Sequence, residues 1–416
     1  MSELASHWSL DPEMVFLNHG SFGATPLVVQ AAQDAIRARM ESEPVRFFVE
    51  DLFPLLDAMR RSLALLLDAP WDEFAPITNA THGVTTALEH CALRPGDEIL
   101  VNDHEYPACL NNARRIASRA GASVVSVTLP WPLTTDNPDD PAAAREAEDQ
   151  IVRAVLAGVT PRTRVALLSH VTSPSALVLP VARLVRELRA RGVRSLIDGA
   201  HAPGMIEGLS LRQIDADYYT ANCHKWICSP KGSAFLHVRR EHLSTFRPLV
   251  LSNNAEVPRA GREQFLTEFD YLGTADPSAL IAIPAAVAFI RGVLPGGERE
   301  VMRRNRDMVL RARRMICEGL GTAPLAPAGL IGSIASIRLP PRPQAAEASQ
   351  RPIERRYFDP LQERLIDRWK IQVPVWAVPG TTLRLMRISS QLYNTDAQYA
   401  YLLKAVREEL RREGAA

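Results

Sequence analysis

Between about residues 75 and 240 the chain alternates two hydrophobic patterns. Short runs of consecutive or every-other apolar residues predict strands at Glu98–Val101, Ala122–Leu129, Val165–Val171, Val193–Ile197, Tyr218–Ala221 and Ala234–Val238, the first opened by the turn Pro95-Gly96-Asp97. Longer stretches with apolar residues every three or four positions predict helices at Thr81–Cys91, Pro107–Arg119, Ala142–Leu156 and Pro180–Arg191. Gly121 and Gly192 stand just past two of these helices, where a left-handed C-cap suits glycine. Strands alternating with helices imply a mainly parallel sheet covered on both faces. Beyond about residue 280 the pattern changes to long helices, Ser278–Val293, Glu298–Leu320 and Asp396–Glu413, with a strand at Ser333–Leu339 and a further helix at Pro360–Trp369. That predicts a second, smaller α+β domain. The turn-rich Pro132–Pro141 and the proline-rich, polar Pro340–Pro352 read as surface connections. The expected division is an N-terminal arm over 1–20, a large domain over 21–277 and a small domain over 278–416.

Composition narrows the class. With 416 residues, 46% of them hydrophobic, the chain can bury the cores of two domains that share a cleft. Its 48 Lys and Arg balance 47 Asp and Glu, so nothing favours nucleic acid or a membrane surface. The Arg407–Arg412 stretch mixes its arginines with glutamates and reads as a solvated helix face. Of the five cysteines only Cys223 and Cys228 are close, and no Cys or His pair follows at zinc spacing, so reduced thiols are expected. No signal pattern opens the sequence, and the apolar Ala279–Ile290 is short and broken by Pro284. These features predict a soluble cytoplasmic protein.

Ligands of open parallel sheets bind at the carboxyl ends of the strands. The residues there are Asp103-His104-Glu105-Tyr106, Thr172-Ser173-Pro174, Asp198-Gly199-Ala200-His201 and Asn222-Cys223-His224-Lys225-Trp226. They supply an aromatic, a hydroxyl pair, a carboxylate with a histidine, and a histidine–lysine pair. This inventory suits a pyridine aldehyde cofactor: a lysine forms the imine, a carboxylate holds the ring nitrogen protonated, and an aromatic stacks on the ring. The turn Thr78-Asn79-Ala80-Thr81-His82-Gly83, opening a helix, offers a phosphate site.

Asp198-Gly199-Ala200-His201-Ala202-Pro203-Gly204 followed by Asn222-Cys223-His224-Lys225-Trp226 resembles the pyridoxal-phosphate (PLP) core of class V aminotransferase-fold enzymes. Phe16-Leu17-Asn18-His19-Gly20-Ser21-Phe22-Gly23 and His170-Val171-Thr172-Ser173-Pro174 resemble the isopenicillin N epimerase-like branch, and the likeness runs on to Arg387–Asn394. The resemblance implies an α/β, fold type I PLP-dependent transferase architecture, with a seven-stranded-type sheet in the large domain. It implies that Lys225 carries PLP as a Schiff base and shuttles protons at the substrate carbons. Asp198 would pair with the ring nitrogen, supported by His201, and Tyr106 would stack on the ring. Ala80, Thr81, Asn222 and His224 would hold the phosphate, with Ser173 near the ring hydroxyl. Gly273 and Thr274 would reach the phosphate of a neighbouring subunit, which implies a homodimer with shared sites. Arg387 would fork onto the substrate carboxylate, and Asn18 and His19 would line the substrate pocket with Arg46–Phe48 and Leu251–Phe265.

Other readings of the same residues stay open. Asp198, His201 and His224 could ligate a metal in a hydrolase, although Lys225 then has no role. Arg384 and Arg387 could both be ion-pair formers, yet Arg387 lies among Leu383, Leu385 and Ile388, where a buried arginine needs a partner. A non-catalytic scaffold would have no need of Lys225, Asp198 and Arg387 together. The reaction is expected at the α- or β-carbon of an amino-acid moiety: epimerisation or C–S β-elimination in specialised biosynthesis, with transamination or decarboxylation as alternatives. Gln372–Thr382 holds no cysteine, which argues against persulfide-forming desulfurase chemistry.

Overall fold

The computed structural model describes residues 2–257, 259–341, 356–357, 359–378 and 383–414. Seven strands, β2 (Phe74–Ile77), β3 (Glu98–Asn102), β4 (Ser123–Val127), β5 (Thr163–Ser169), β6 (Arg194–Asp198), β7 (Tyr218–Asn222) and β8 (Ala234–Val238), form one sheet in the order β2-β8-β7-β6-β5-β3-β4. Only β8 runs against its neighbours. Alternate residues feed two cores: Ile99, Val101, Val165, Leu167, Leu196 and Tyr218 face one, and Leu100, Ala166, Leu168, Ile197 and Tyr219 face the other. Burial on both faces explains why these strands read as nearly continuous apolar runs. The helices Ala80–His90 and Pro107–Ala120 cover one side, and Pro141–Ala157 and Val181–Arg189 the other. Gly83 brings the first of them close to the sheet, since a Cβ there would stand 2.1 Å from Thr220 Oγ1.

The C-terminal part holds an antiparallel three-stranded sheet in the order β11-β12-β9, with β9 (Ile334–Leu339), β11 (Val375–Ala377) and β12 (Arg384–Ser389), covered by the helices Gly297–Leu320 and Asp396–Glu413. The helix expected over Ser278–Val293 is two pieces, Ser278–Ile281 and Ile283–Gly292, because Pro284 near the start of the second cannot donate to the preceding turn. A short strand near the start of the chain, β1 (Val15–Phe16), pairs in parallel with β10 (Ile371–Gln372). The Ser389 N–H continues the stitching onto the Leu17 carbonyl at 3.0 Å. Of the expected surface connections, Pro132–Pro141 is described, whereas 342–352 of the second lies outside the described residues, as does 379–382 of the cysteine-free segment.

Candidate active site

The carboxyl ends of β2, β3, β5, β6 and β7 lie on one sheet edge, and β8, running the other way, brings Ser233 to it. Strand order reverses between β3 and β5, since β4 lies outside β3 while β6 to β8 continue beyond β5. Loops diverge at such a reversal and leave a crevice. Lys225 sits in the turn after β7. Gly23 and Gly204, both at positive φ, press against that turn: a Cβ at Gly23 would stand 1.9 Å from the His224 carbonyl oxygen, and one at Gly204 2.5 Å from the Trp226 carbonyl carbon. Neither position admits a side chain.

The Lys225 side chain is partly buried, with its amine 3.2 Å from His201 Nε2. Burial, followed by the Arg387 charge, brings it down to about 7, against the pull of Asp198. His201 is held well below the ordinary histidine value by burial and then by Lys225. The Trp226 indole N–H can only donate, and it reaches His201 Nδ1 at 3.5 Å. The proton of the neutral ring therefore belongs on Nε2, pointing at the lone pair of an uncharged Lys225 amine. The uncharged, nucleophilic form of the amine predominates above about pH 7.

Asp198, at the end of β6, is 3% exposed. Its Oδ1 accepts from the Ala200 N–H at 2.9 Å and its Oδ2 from the Cys109 thiol at 3.2 Å. Burial raises its pKa, with the hydrogen bonds and Lys225 opposing. Arg387, on β12, is buried and has no carboxylate partner among the described residues. It donates from Nη1 to the Ser173 carbonyl (2.7 Å) and hydroxyl (3.0 Å), and from Nη2 to Ser21 Oγ at 3.3 Å. Burial alone lowers it to about 10, with Tyr106 opposing. A buried guanidinium bonded only to neutral groups is an open site for an anion.

The expected phosphate residues also converge. The Asn222 carboxamide oxygen accepts the Ala80 N–H at 2.9 Å, and Asn79 caps the helix through the His82 N–H. Ala80, Thr81 and Asn222 thus share the positive end of a helix dipole. His224 bonds the Ser233 carbonyl through Nδ1 at 3.1 Å, so Nδ1 carries the proton and Nε2 is a bare acceptor. Burial and Lys225 lower this ring to about 4, so it would meet a phosphate as a donor only after taking a second proton.

Other expected residues stand differently. Ser173 lies on Arg387. Asn18 accepts from Ser21 Oγ at 2.6 Å and so reaches Arg387 through one hydroxyl. Tyr106 is half exposed at the start of the helix Pro107–Ala120. His19, expected in the substrate pocket, does not face it: the ring is 0% exposed, with Nδ1 at 2.8 Å from Tyr393 Oη and Nε2 at 3.0 Å from the Lys225 carbonyl. It seats the Lys225 backbone instead. Gly273 and Thr274 lie exposed, and the Thr274 hydroxyl bonds Tyr271 of their own loop. Asp198, His201 and His224 do not gather their ligand atoms as a metal site would; among the described residues Asp217, Glu241 and His242 do. Sequence reasoning passed over Glu105, Cys109 and Tyr393. Glu105 stands at the same strand end as Tyr106, and its burial is what singles it out.

The model of the aminotransferase class V family matches residues 26–294, and the chain belongs to that family. It is similar, at 34% identity over 96% of each chain, to isopenicillin N epimerase of Amycolatopsis lactamdurans. At 27% identity, covering 97% of this chain and 85% of the relative, it is similar to a probable chloroplastic L-cysteine desulfhydrase of Arabidopsis thaliana. Among solved structures, the cystine C–S lyase C-DES in complex with its reaction product cysteine persulfide has the same fold, with a TM-score of 0.75 at 20% identity over 95% of this chain and 97% of that one.

Proposed function

We propose that this PLP enzyme binds an amino acid by its carboxylate at Arg387 and removes the α-proton with Lys225. The observation that carries the reading is the pairing of a buried, uncompensated guanidinium with a partly buried amine brought down to about 7. The donor set fits PLP: an amine for the aldehyde, a buried carboxylate with no bonded cation for the ring nitrogen, and a helix start for the phosphate. When bound, PLP supplies an electron-withdrawing ring that acidifies the α-carbon. The residues of the chain do the rest. Asp198 would hold the ring-nitrogen proton, Ala80, Thr81 and Asn222 would hold the phosphate, and Tyr106 would cover the ring. Arg387 fixes the substrate carboxylate, and so fixes which bond of the α-carbon faces Lys225. Lys225 takes the proton there. His201, with its proton on Nε2, keeps the amine oriented.

Epimerisation is the first outcome, as in the relative from Amycolatopsis. A specific observation favours C–S β-elimination as the second. Lys225 is brought near neutrality, whereas burial first of all pushes His19, His201 and His224 well below it, so of these four groups Lys225 alone is poised as a base there, and elimination needs one. On this reading the chain has an arm over 1–20, a large domain over 21–277 and a small domain over 278–416. It works as a homodimer in which Gly273 and Thr274 reach the partner's phosphate site. The exposed apolar Phe22, Val45, Val49 and Leu249–Leu251 support that interface. Five free, buried cysteines suit the reducing cytoplasm; among the described residues no single helix is long and apolar enough to cross a membrane.

The test is the visible spectrum of purified protein with and without added PLP, for wild type and Lys225→Ala. A borohydride-reducible yellow band in the wild type alone is expected; no band at any PLP concentration overturns the reading. With the loaded enzyme in D2O, NMR then separates α-proton exchange with inversion from release of a keto acid and a thiol.

A further inference from the structure

Asp198 does not stand alone beneath the place assigned to the cofactor. Glu105, 5% exposed, accepts the Ser169 N–H on Oε2 at 3.0 Å and the Tyr106 N–H on Oε1 at 3.0 Å, and its Oε1 lies 2.5 Å from Ser169 Oγ. Ser169 is the register partner of Asp198 across β5 and β6, so Glu105, which follows β3 and bonds the end of β5, stands beside the strand end that carries Asp198. Cys109, fully buried on the helix Pro107–Ala120, donates its thiol to Asp198 and feels the charge of both carboxyls. No arginine or lysine forms an ion pair with Glu105 or Asp198 among the described residues. The other titratable groups facing the cluster are Lys225 and the Tyr219 hydroxyl.

We infer that Glu105, Asp198 and Cys109 form one buried acid cluster carrying a single negative charge, in which Glu105 keeps its proton and Cys109 and Glu105 act as positioning residues that set how firmly Asp198 holds the proton of the ring nitrogen. Two ionised carboxylates side by side repel, and neither has an ion-pair partner among the described residues. Burial and then Asp198 raise Glu105 to about 8, which leaves Glu105 the protonated member at neutral pH. The hydrogen bonds that Glu105 accepts from the Ser169 hydroxyl and from the Ser169 and Tyr106 N–H groups oppose that proton, and burial beside Asp198 outweighs them. The thiol of Cys109 is a weak donor. It orients Asp198 without drawing off much of its charge, so Asp198 stays basic enough to keep the ring protonated. A hydroxyl in its place would draw off more.

The inference rests on PLP binding only in its last step, and the experiment separates the two. pH-difference infrared spectroscopy of the PLP-free protein reads the Glu105 carboxyl directly. At neutral pH the wild type is expected to show a protonated carboxyl stretch that Glu105→Gln lacks and that disappears as pH rises through about 8. In Asp198→Asn the same stretch is expected to titrate at lower pH. A band absent from the wild type at neutral pH, or a midpoint unmoved in Asp198→Asn, overturns the shared charge whether or not PLP binds. With ¹⁵N-labelled PLP, the ring-nitrogen shift of the loaded enzyme reads the last step. Cys109→Ser is expected to lose the ring proton at a pH about half a unit lower than wild type, and Cys109→Ala at a higher pH. Identical ring titrations in all three proteins overturn the role of Cys109. Failure of every variant to take up PLP, with the infrared result as expected, overturns the cofactor reading and leaves the acid cluster standing.

Discussion

Two arginines three residues apart on β12 have opposite fates. Arg384 points to one face of the strand and Arg387 to the other, as odd spacing requires. Arg384 is 2% exposed and closed on all sides: Nε and Nη2 grip Asp359 at 2.9 and 2.6 Å, and Nη1 reaches Glu413 at 2.7 Å. Burial opposes its charge, but Glu413 and Asp359 hold it above the ordinary arginine range. Arg387 is equally enclosed, yet it bonds a carbonyl and two hydroxyls, and burial lowers it. The first guanidinium is a structural pin between a loop and the last helix. The second is kept short of one anion. Burial alone does not mark a functional charge; burial without a counter-charge does.

The largest test of this contrast replaces each arginine by methionine. Arg387→Met is expected to lower kcat/KM about 10³-fold, the loss of one buried charge-assisted fork, with thermal stability kept or raised. If stability falls as steeply as activity, the two arginines are alike after all. Arg384→Met is expected to do the reverse. It strands Asp359 and Glu413 and costs about 3–5 kcal/mol in denaturant unfolding, while kcat per folded molecule holds. A smaller effect comes from ligand linkage. Acetate at about 100 times its Kd should stabilise the holoenzyme by about 2.7 kcal/mol, in wild type and Arg384→Met but not in Arg387→Met. The smallest effect is on Lys225. Amine-directed labelling of the PLP-free protein should rise as pH climbs through about 7, because the unprotonated fraction grows there. Removing the Arg387 charge lets that midpoint climb by on the order of one unit, whereas Arg384→Met leaves it in place.

The strand ends were readable from sequence because a parallel sheet buried on both faces prints itself as apolar runs, and whatever follows each run must lie at one edge. Asp198, Asn222 and Lys225 came from that rule together with the resemblance. What separated Arg384 from Arg387 came from the resemblance alone and not from the local pattern. Both sit in an apolar strand, and the partners of Arg384 lie 25 and 29 positions away, in segments whose approach only the fold decides. The surroundings of His19 were unreadable for the same reason, since its ring bonds Tyr393 at the far end of the chain. Glu105 was visible at its strand end, but its burial was not. A glutamate between a strand and the first turn of a helix usually faces water, and nothing local announces that this one is sealed against Ser169. The break at Ala282 was signalled by Pro284, which the apolar periodicity of Ser278–Val293 overshadowed.

The pairing of β1 with β10 also bears on how the protein is made. His19 and Tyr393, which together seat the Lys225 backbone, are 374 residues apart, and the short strand beside His19 finds its partner only at Ile371–Gln372. At ribosomal speeds of about 5–20 residues per second, the opening segment must wait roughly 20–75 s for its complement to be synthesised. Its apolar Val15, Phe16 and Leu17 stay without their final neighbours for that time. The large sheet can assemble while translation is still running, but the seat of Lys225 is completed among the last events. A ribosome stalled before residue 371 therefore carries a nearly finished sheet and no working centre, and it is this late closure that chaperones would have to guard.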